Sequence, residues 1–412
     1  MKLFLCRTSL IILVYAMLNS VYSGMNGMPN EGDSIAYHIP IARSILDGSF
    51  IGPQVVFRND HQYFPGSSEF ILAAFILVGI PITLYNVLGI ACLFLATWGL
   101  GKASGLDGAT SVTYACSIGT LNTILRWANA QTVDIWLGVF YALALMLLMR
   151  PRPTATYFGV LGFAIGMIIG TKYSGPLFLI APLVLLGRRL IPLITVPRVI
   201  AFIMPVCVLG LFWYARNLIV TGNPVYPQGI LFLRGNGTTI LSVPVWRATV
   251  LYPASMVNAL VAEYRLWAFS LAVPVVLLII RRCVRYASAL TVIGYLNLLV
   301  FCMLPNAPEE NIHVSNMRLA YPVFTVLILV SFLLAKSLKW SKEIALAAVA
   351  NMVLLPPYEY HPKLMFAYVP IVFVVFRYRG VHRRLSCIGA GASRAVRRLA
   401  GRATAAWKGR GR

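Results

Sequence analysis

The chain has little charge for its length: 11% of its 412 residues are Asp, Glu, Lys or Arg, and only 12 of these are acidic. A soluble domain carries about a quarter charged residues, so an ordinary water-soluble globule is excluded. Histidine is also scarce, at five residues. None sits in an H-x-x-x-H or similar spacing, so no ready-made zinc motif is present. The seven cysteines are odd in number. Cys6, Cys92, Cys116, Cys207 and Cys302 fall in apolar runs and Cys283 and Cys387 in basic loops, a distribution that excludes a disulfide framework and a thiolate metal cluster. There is no internal repeat, no low-complexity linker, and no soluble domain beyond a basic tail.

What the chain does have is apolar sequence, 59% of all residues. It is arranged in continuous runs of roughly 15 to 22 residues, which suits helices crossing a ~30 Å hydrocarbon core rather than the alternating strands of a barrel. The prediction is an all-α polytopic membrane protein with about 12 spans: one at 2–23, then 83–101, 109–125, 135–149, 155–171, 175–187, 198–214, 266–280, 287–304, 319–335, 343–355 and 364–376. Residues 2–23 could also be read as a cleavable signal sequence, and a retained span is the preferred reading. The run 67–80 is short for a crossing and reads as an interfacial or re-entrant helix within a long first outer loop, 24–82. A membrane domain thus covers 1–376, followed by a cytoplasmic tail, 377–412.

The net charge of +23 could suggest nucleic acid, but the basic residues lie in short clusters between apolar runs and in the tail. That is the pattern of cytoplasmic loops, with the tail against anionic membrane lipid, and no nucleic acid is expected as a partner. Acidic residues show the opposite bias. Of the 12, only Asp107 and Glu343 fall on the cytoplasmic side in this threading, and four of the five histidines lie outside. Acidic residues contribute little to topology, so their outward concentration points to an outward-facing site.

The densest polar interruption is "MNGMPNEGDSIAYHIPIARSILDGSF", residues 25–50. Asp33 stands ahead of a rough helical stripe broken at Pro40. It can be read as an N-cap, or, with Glu31 beside it, as a catalytic base kept basic by partial desolvation at the water–membrane boundary.

The segment "GDSIAYHIPIARSILDGSF" followed by "HQYFPGSSEFILAAFIL" resembles the first outer loop of the GT-C superfamily of polytopic glycosyltransferases, which includes protein mannosyltransferases and the lipid A aminoarabinose transferase. Asp33, Tyr37, Ala42, Gly48 and the Tyr63-Phe64-Pro65-Gly66 turn occupy the family's places, with Phe64-Pro65-Gly66 standing where the family has a double proline. "RWANAQTVD", ending at Asp134, resembles the second outer loop and its carboxylate. "GMIIGTKYSG" is similar to a span ending in an outward lysine, here Lys172. "WYARNLIVTGNPVYP" carries Arg216, Asn217, Asn223 and Pro224 in matching places, and "NMRLAYP" brings a late outer arginine, Arg318.

The resemblance implies a GT-C-like helix bundle that performs one inverting displacement. The sugar leaves a polyprenyl-phosphate donor for a hydroxyl on a glycan, lipid or protein acceptor, at the outer face of the inner membrane. Asp33 would be the base, with Glu31 and Asp134 as further catalytic carboxylates. Lys172, Arg216 or Arg318 would stabilise the departing phosphate, and Tyr37, His38, His61 and Tyr63 would line the substrate site. A divalent metal stays open, since His38, His61, His313 and His361 lie in outer loops near acidic residues and some members use one. A polyprenyl-linked glycan polymerase or ligase and a lipid-linked sugar transporter or flippase are the alternative functions. Lys172 could instead snorkel and Asp134 could cap a helix.

Overall fold

The computed structural model describes residues 1–29, 31–52, 58–229, 233–236, 243–272, 287–306 and 316–354. The chain divides into a unit Met1–Pro357 and a unit Tyr358–Arg412. The second unit lies outside the described residues, and with it the expected span 364–376, the tail and His361. His313 is outside them too.

In chain order the helices are α1 (Lys2–Asn26), α2 (Ile39–Asp47), α3 (Glu69–Val78), α4 (Tyr85–Ala103), α5 (Gly108–Gly119), α6 (Asn122–Leu125), α7 (Asp134–Met149), α8 (Ala155–Thr171), α9 (Gly175–Leu186), α10 (Val196–Pro205), α11 (Phe212–Thr221), α12 (Val245–Leu251), α13 (Pro253–Tyr264), α14 (Ala287–Met303), α15 (Tyr321–Ser337) and α16 (Ser341–Leu354). Among the described residues the only extended pairing is a short antiparallel bridge, Val243–Pro244 with Pro305–Asn306.

Among the described residues five stretches are long and apolar enough to cross a bilayer: Lys2–Asn26, Ile82–Ala103, Gly175–Leu193, Val196–Thr221 and Met317–Ser337. Glu69–Val78, Asp134–Met149, Ala155–Thr171 and Ser288–Met303 are apolar but shorter. The chain is an all-α membrane protein, but twelve spans are not established. The expected 109–125 ends early at Gly119, and the expected 266–280 starts as a 3-10 helix, Arg265–Ala272, beyond which the described residues stop. The ten residues of α3 rise about 15 Å, half of a hydrocarbon core, so this helix is too short to cross.

Helices that are apolar on every side belong inside a bundle or against lipid. Met317–Ser337 is 89% buried and forms the centre, whereas Val196–Thr221 is 11% buried and lies at the periphery. The α1 helix packs on α5 and α16, with Leu5, Ile12, Leu13 and Ala16 buried.

Contacts between helix ends sort the loops into two groups. At one end Lys2 pairs with Asp107 at 3.4 Å, Arg150 Nη2 donates to the Lys102 carbonyl, and Lys336 Nζ donates to the Gly105 carbonyl. At the other end the loops carrying Asp33, Asp134, Lys172 and Arg318 converge. Close backbone approach fixes one wall of that end: Gly162, Gly166 and Gly170 form a stripe on α8 facing the carbonyls of Phe202, Pro205 and Leu209. A Cβ on Gly170 would stand 1.9 Å from the Leu209 oxygen, so only glycine allows this crossing. The stripe ends two residues before Lys172.

Candidate active site

The first site segment is held by Glu31. Its Oε1 accepts from the Asp33 N–H at 3.1 Å, and its Oε2 accepts from the Ser34 N–H at 2.7 Å and the Ser34 hydroxyl at 2.8 Å. Capping therefore falls to Glu31 rather than Asp33, and both Glu31 oxygens are committed to backbone and Ser34. The helix is not broken at Pro40. Ile39 N–H donates to the Ser34 carbonyl five residues back, a π-turn over Ser34–His38 that absorbs the proline's missing donor before α2 begins. The Ser34 hydroxyl also accepts from the Gln131 N–H at 2.9 Å, tying this turn to the 126–134 loop.

That tie brings Asp33 and Asp134 to one cation. Arg318 Nη2 donates to Asp33 Oδ2, and Arg318 Nε lies 3.2 Å from Asp134 Oδ2. Lys172 Nζ donates to Asp134 Oδ1 at 2.5 Å. The result is a chain of alternating charge, Asp33–Arg318–Asp134–Lys172, built from four separate segments. The Asp134 side chain is 3% exposed and the Asp33 side chain 36%. The Arg318 guanidinium lies 4.6 Å from the Trp127 ring centroid, a cation–π contact, and among the described residues its buried Nη1 has no hydrogen-bond partner.

Burial pushes the Asp33 carboxyl upward, but Arg318 and then His38 outweigh it and hold it below the usual carboxylate range. The expectation that desolvation keeps Asp33 basic is corrected here: the ion pair wins.

Beside Lys172 opens a cleft of about 370 Å³. Phe64, Pro65, Val133, Leu177, Met303 and Leu304 give it apolar walls, and Lys172, His38 and Glu69 supply its polar groups. Glu69, the first residue of α3, is 1% exposed and places Oε1 2.7 Å from His38 Nδ1. Sequence reasoning missed it by treating 67–80 as one apolar run. The available signal was a carboxylate opening that run, since an ionisable group at such depth is expensive. Trp127 was also missed.

Tyr37 lines the cleft, with its ring 4.1 Å from that of His38 and 4.9 Å from that of His61. Burial raises the Tyr37 phenol well above its usual value and lowers His61, so both are neutral near pH 7. Tyr63 and Arg216 belong to a separate structural cluster. Arg216 is 4% exposed, donates to Asn217 Oδ1 at 3.0 and 2.7 Å, and lies 4.9 Å from the Trp213 ring centroid. The Tyr63 carbonyl accepts from Asn217 Nδ2 at 2.8 Å and from the Tyr173 hydroxyl at 3.1 Å. Among the described residues no group of three or more His, Cys, Asp or Glu side chains is placed to hold a metal ion.

Comparison with protein-family models, with curated proteins and with solved structures gives no match. What the site can do rests on its own geometry. It offers an apolar cleft lined by one cation, Lys172, one carboxylate, Glu69, and one imidazole, His38, with Arg318 joined to Lys172 through Asp134.

Proposed function

We propose that the cleft transfers a sugar from a polyprenyl-phosphate carrier to an acceptor hydroxyl, as an inverting glycosyltransferase of the membrane. The observation that carries this reading is the Asp33–Arg318–Asp134–Lys172 chain beside an apolar cleft of about 370 Å³. A polyprenyl phosphate has the matching halves, an anionic head and an apolar tail. The cleft volume falls in the roughly 300–1,000 Å³ range of small-molecule sites.

Direct displacement at the anomeric carbon makes two demands. Negative charge grows on the departing phosphate, and Lys172, which lines the cleft and is linked through Asp134 to Arg318, is suited to stabilise it in a water-poor cavity. The incoming hydroxyl must also lose a proton, and the family resemblance assigns that task to Asp33. The charges cluster at helix ends, with Lys172 just past α8 and Asp134 opening α7, rather than at the middle of spans as in a secondary transporter. With the basic end of the bundle placed in the cytoplasm by the positive-inside rule, the site faces outward.

The test uses protein in nanodiscs with undecaprenyl phosphate as the binding probe and an undecaprenyl-phosphate hexose as the donor. Lys172→Met is expected to weaken binding of the probe by roughly 1.5–3 kcal/mol, the value of a charge-assisted hydrogen bond. Equal affinity in wild type and variant, or no release of hexose by wild type with any acceptor alcohol, would sink the reading.

A further inference from the structure

Glu69 and His38 form a buried acid–imidazole pair on the cleft wall, with side chains 1% and 3% exposed. Such a pair is an expensive way to hold α3 against the π-turn, because apolar residues of similar volume pack there at no desolvation cost. The pair is also incomplete as a structural device. Among the described residues Glu69 Oε2 is buried with no hydrogen-bond partner, and the His38 ring is held through Nδ1.

The geometry orders the imidazole. A carboxylate 2.7 Å from Nδ1 favours the tautomer with hydrogen on that nitrogen, which leaves a lone pair on Nε2. Both residues line the cleft that also holds Lys172. Asp33, by contrast, has given one oxygen to Arg318, a guanidinium that competes with any proton for that oxygen.

We propose that His38, rather than Asp33, accepts the proton of the incoming hydroxyl, and that Glu69 is its positioning residue; this rests on reading the cleft as a lipid-phosphate sugar transferase site. In the step, the acceptor oxygen forms its bond to the anomeric carbon as its proton passes to His38 Nε2. The bond from that carbon to the phosphate oxygen breaks, and its electron pair leaves with the polyprenyl phosphate. The charged and titratable groups about the imidazole are Glu69 from α3, Asp33 from its own turn, Asp134 from α7, Lys172 after α8, His61, and Arg318, which pairs with both Asp33 and Asp134, while the Tyr37 ring covers one side. Asp33 then serves to orient Arg318.

Hexose release from an undecaprenyl-phosphate hexose is followed against pH in wild type, His38→Gln and Glu69→Gln, alongside binding of undecaprenyl phosphate. His38→Gln is expected to bind the probe as wild type does, to lose about 100-fold or more in turnover, and to lose the acidic limb of the profile. Glu69→Gln still accepts the Nδ1 hydrogen but supplies no counter-charge. Its acidic limb is expected at lower pH with turnover reduced about tenfold or more, a displacement that a packing defect does not produce. Wild-type turnover and pH profile in His38→Gln overturn the proposal and leave glycosyl transfer standing. Absence of both probe binding and turnover in wild type instead overturns the transferase reading and the proposal with it. Should His38→Gln fail to fold, carbethoxylation of the wild-type protein decides: modification mapped to His38 is expected to abolish turnover reversibly by hydroxylamine, and modified protein with full turnover overturns the assignment.

Discussion

Asp33 sits between two demands that only one of its oxygens can meet, since Oδ2 already holds Arg318. Replacing it by Asn leaves the Glu31 cap intact and removes a competitor for the guanidinium. The expected outcome is tighter binding of undecaprenyl phosphate, by a few-fold, with lower turnover; weaker binding would show that Asp33 itself helps to hold the ligand. The same ion pair sets an acid dependence. The Asp33 pKa is depressed in the folded chain, so its stabilisation is complete above the unfolded value of about 3.9 and is lost as pH falls through the lower folded value. Because the side chain is 36% exposed, screening keeps the effect at or below about 1 kcal/mol. Thermal midpoints of wild type and Asp33→Asn should therefore converge below about pH 4; parallel curves would mean the pair is neutral for stability. Asp33 was legible as a candidate site residue because polar groups are conspicuous among apolar runs, and Asp134, Lys172 and Arg318 were legible as candidates through the family resemblance. Their mutual pairing was not, since it joins positions up to 285 residues apart. Glu69 was hidden by the opposite effect, a charge that opens an apolar run and is averaged away within it.

At the scale of elements, hydropathy placed α4, α7, α8, α14 and α15 to within a few residues, because each is an apolar run ended by charge, glycine or proline. It could not see the π-turns at Ser34–His38 and Val206–Leu211. One extra residue per turn leaves composition unchanged and is invisible to a 3.6-residue period. The second π-turn has a partner that explains its use: Ser67 Oγ donates to the Leu209 carbonyl, Trp213 Nε1 donates to Ser67 Oγ at 2.7 Å, and the Ser67 N–H donates to the Gly170 carbonyl at 2.7 Å. This knot seats the segment ahead of α3 on α8, two residues before Lys172. Gly170→Ala puts a methyl 2.1 Å from Ser67 Oγ and 1.9 Å from the Leu209 oxygen, so backbone has to move. The expected cost is about 1–3 kcal/mol or more of stability, with weakened binding of undecaprenyl phosphate as Lys172 shifts. A Gly170→Ala protein with wild-type melting and binding would show that this crossing does not set the site's geometry.

At the largest scale, the longer described helices join two chemically different ends. Lys2, Lys102, Arg150 and Lys336 gather at one, and the Asp33–Arg318–Asp134–Lys172 chain lies at the other. Loop assignment from charge alone gives the same division, because the short loops 102–108 and 150–155 each join two helices that start and finish at the site end. The bundle groups the loops by end, and the proposal that the basic end meets the cytoplasm comes from the positive-inside rule. Two exposed positions test both statements together: Lys102 at the basic end and Asp47 at the end of α2, near the site. In a chain whose seven native cysteines are replaced, Asp47→Cys should react with an impermeant maleimide in intact cells, and Lys102→Cys should react only after permeabilisation. Labelling of both from outside would break the two-ended arrangement itself. Labelling of Lys102→Cys alone would preserve the arrangement but invert it, turning the cleft toward cytoplasmic, nucleotide-linked sugars and removing the reason to expect a lipid-carried donor.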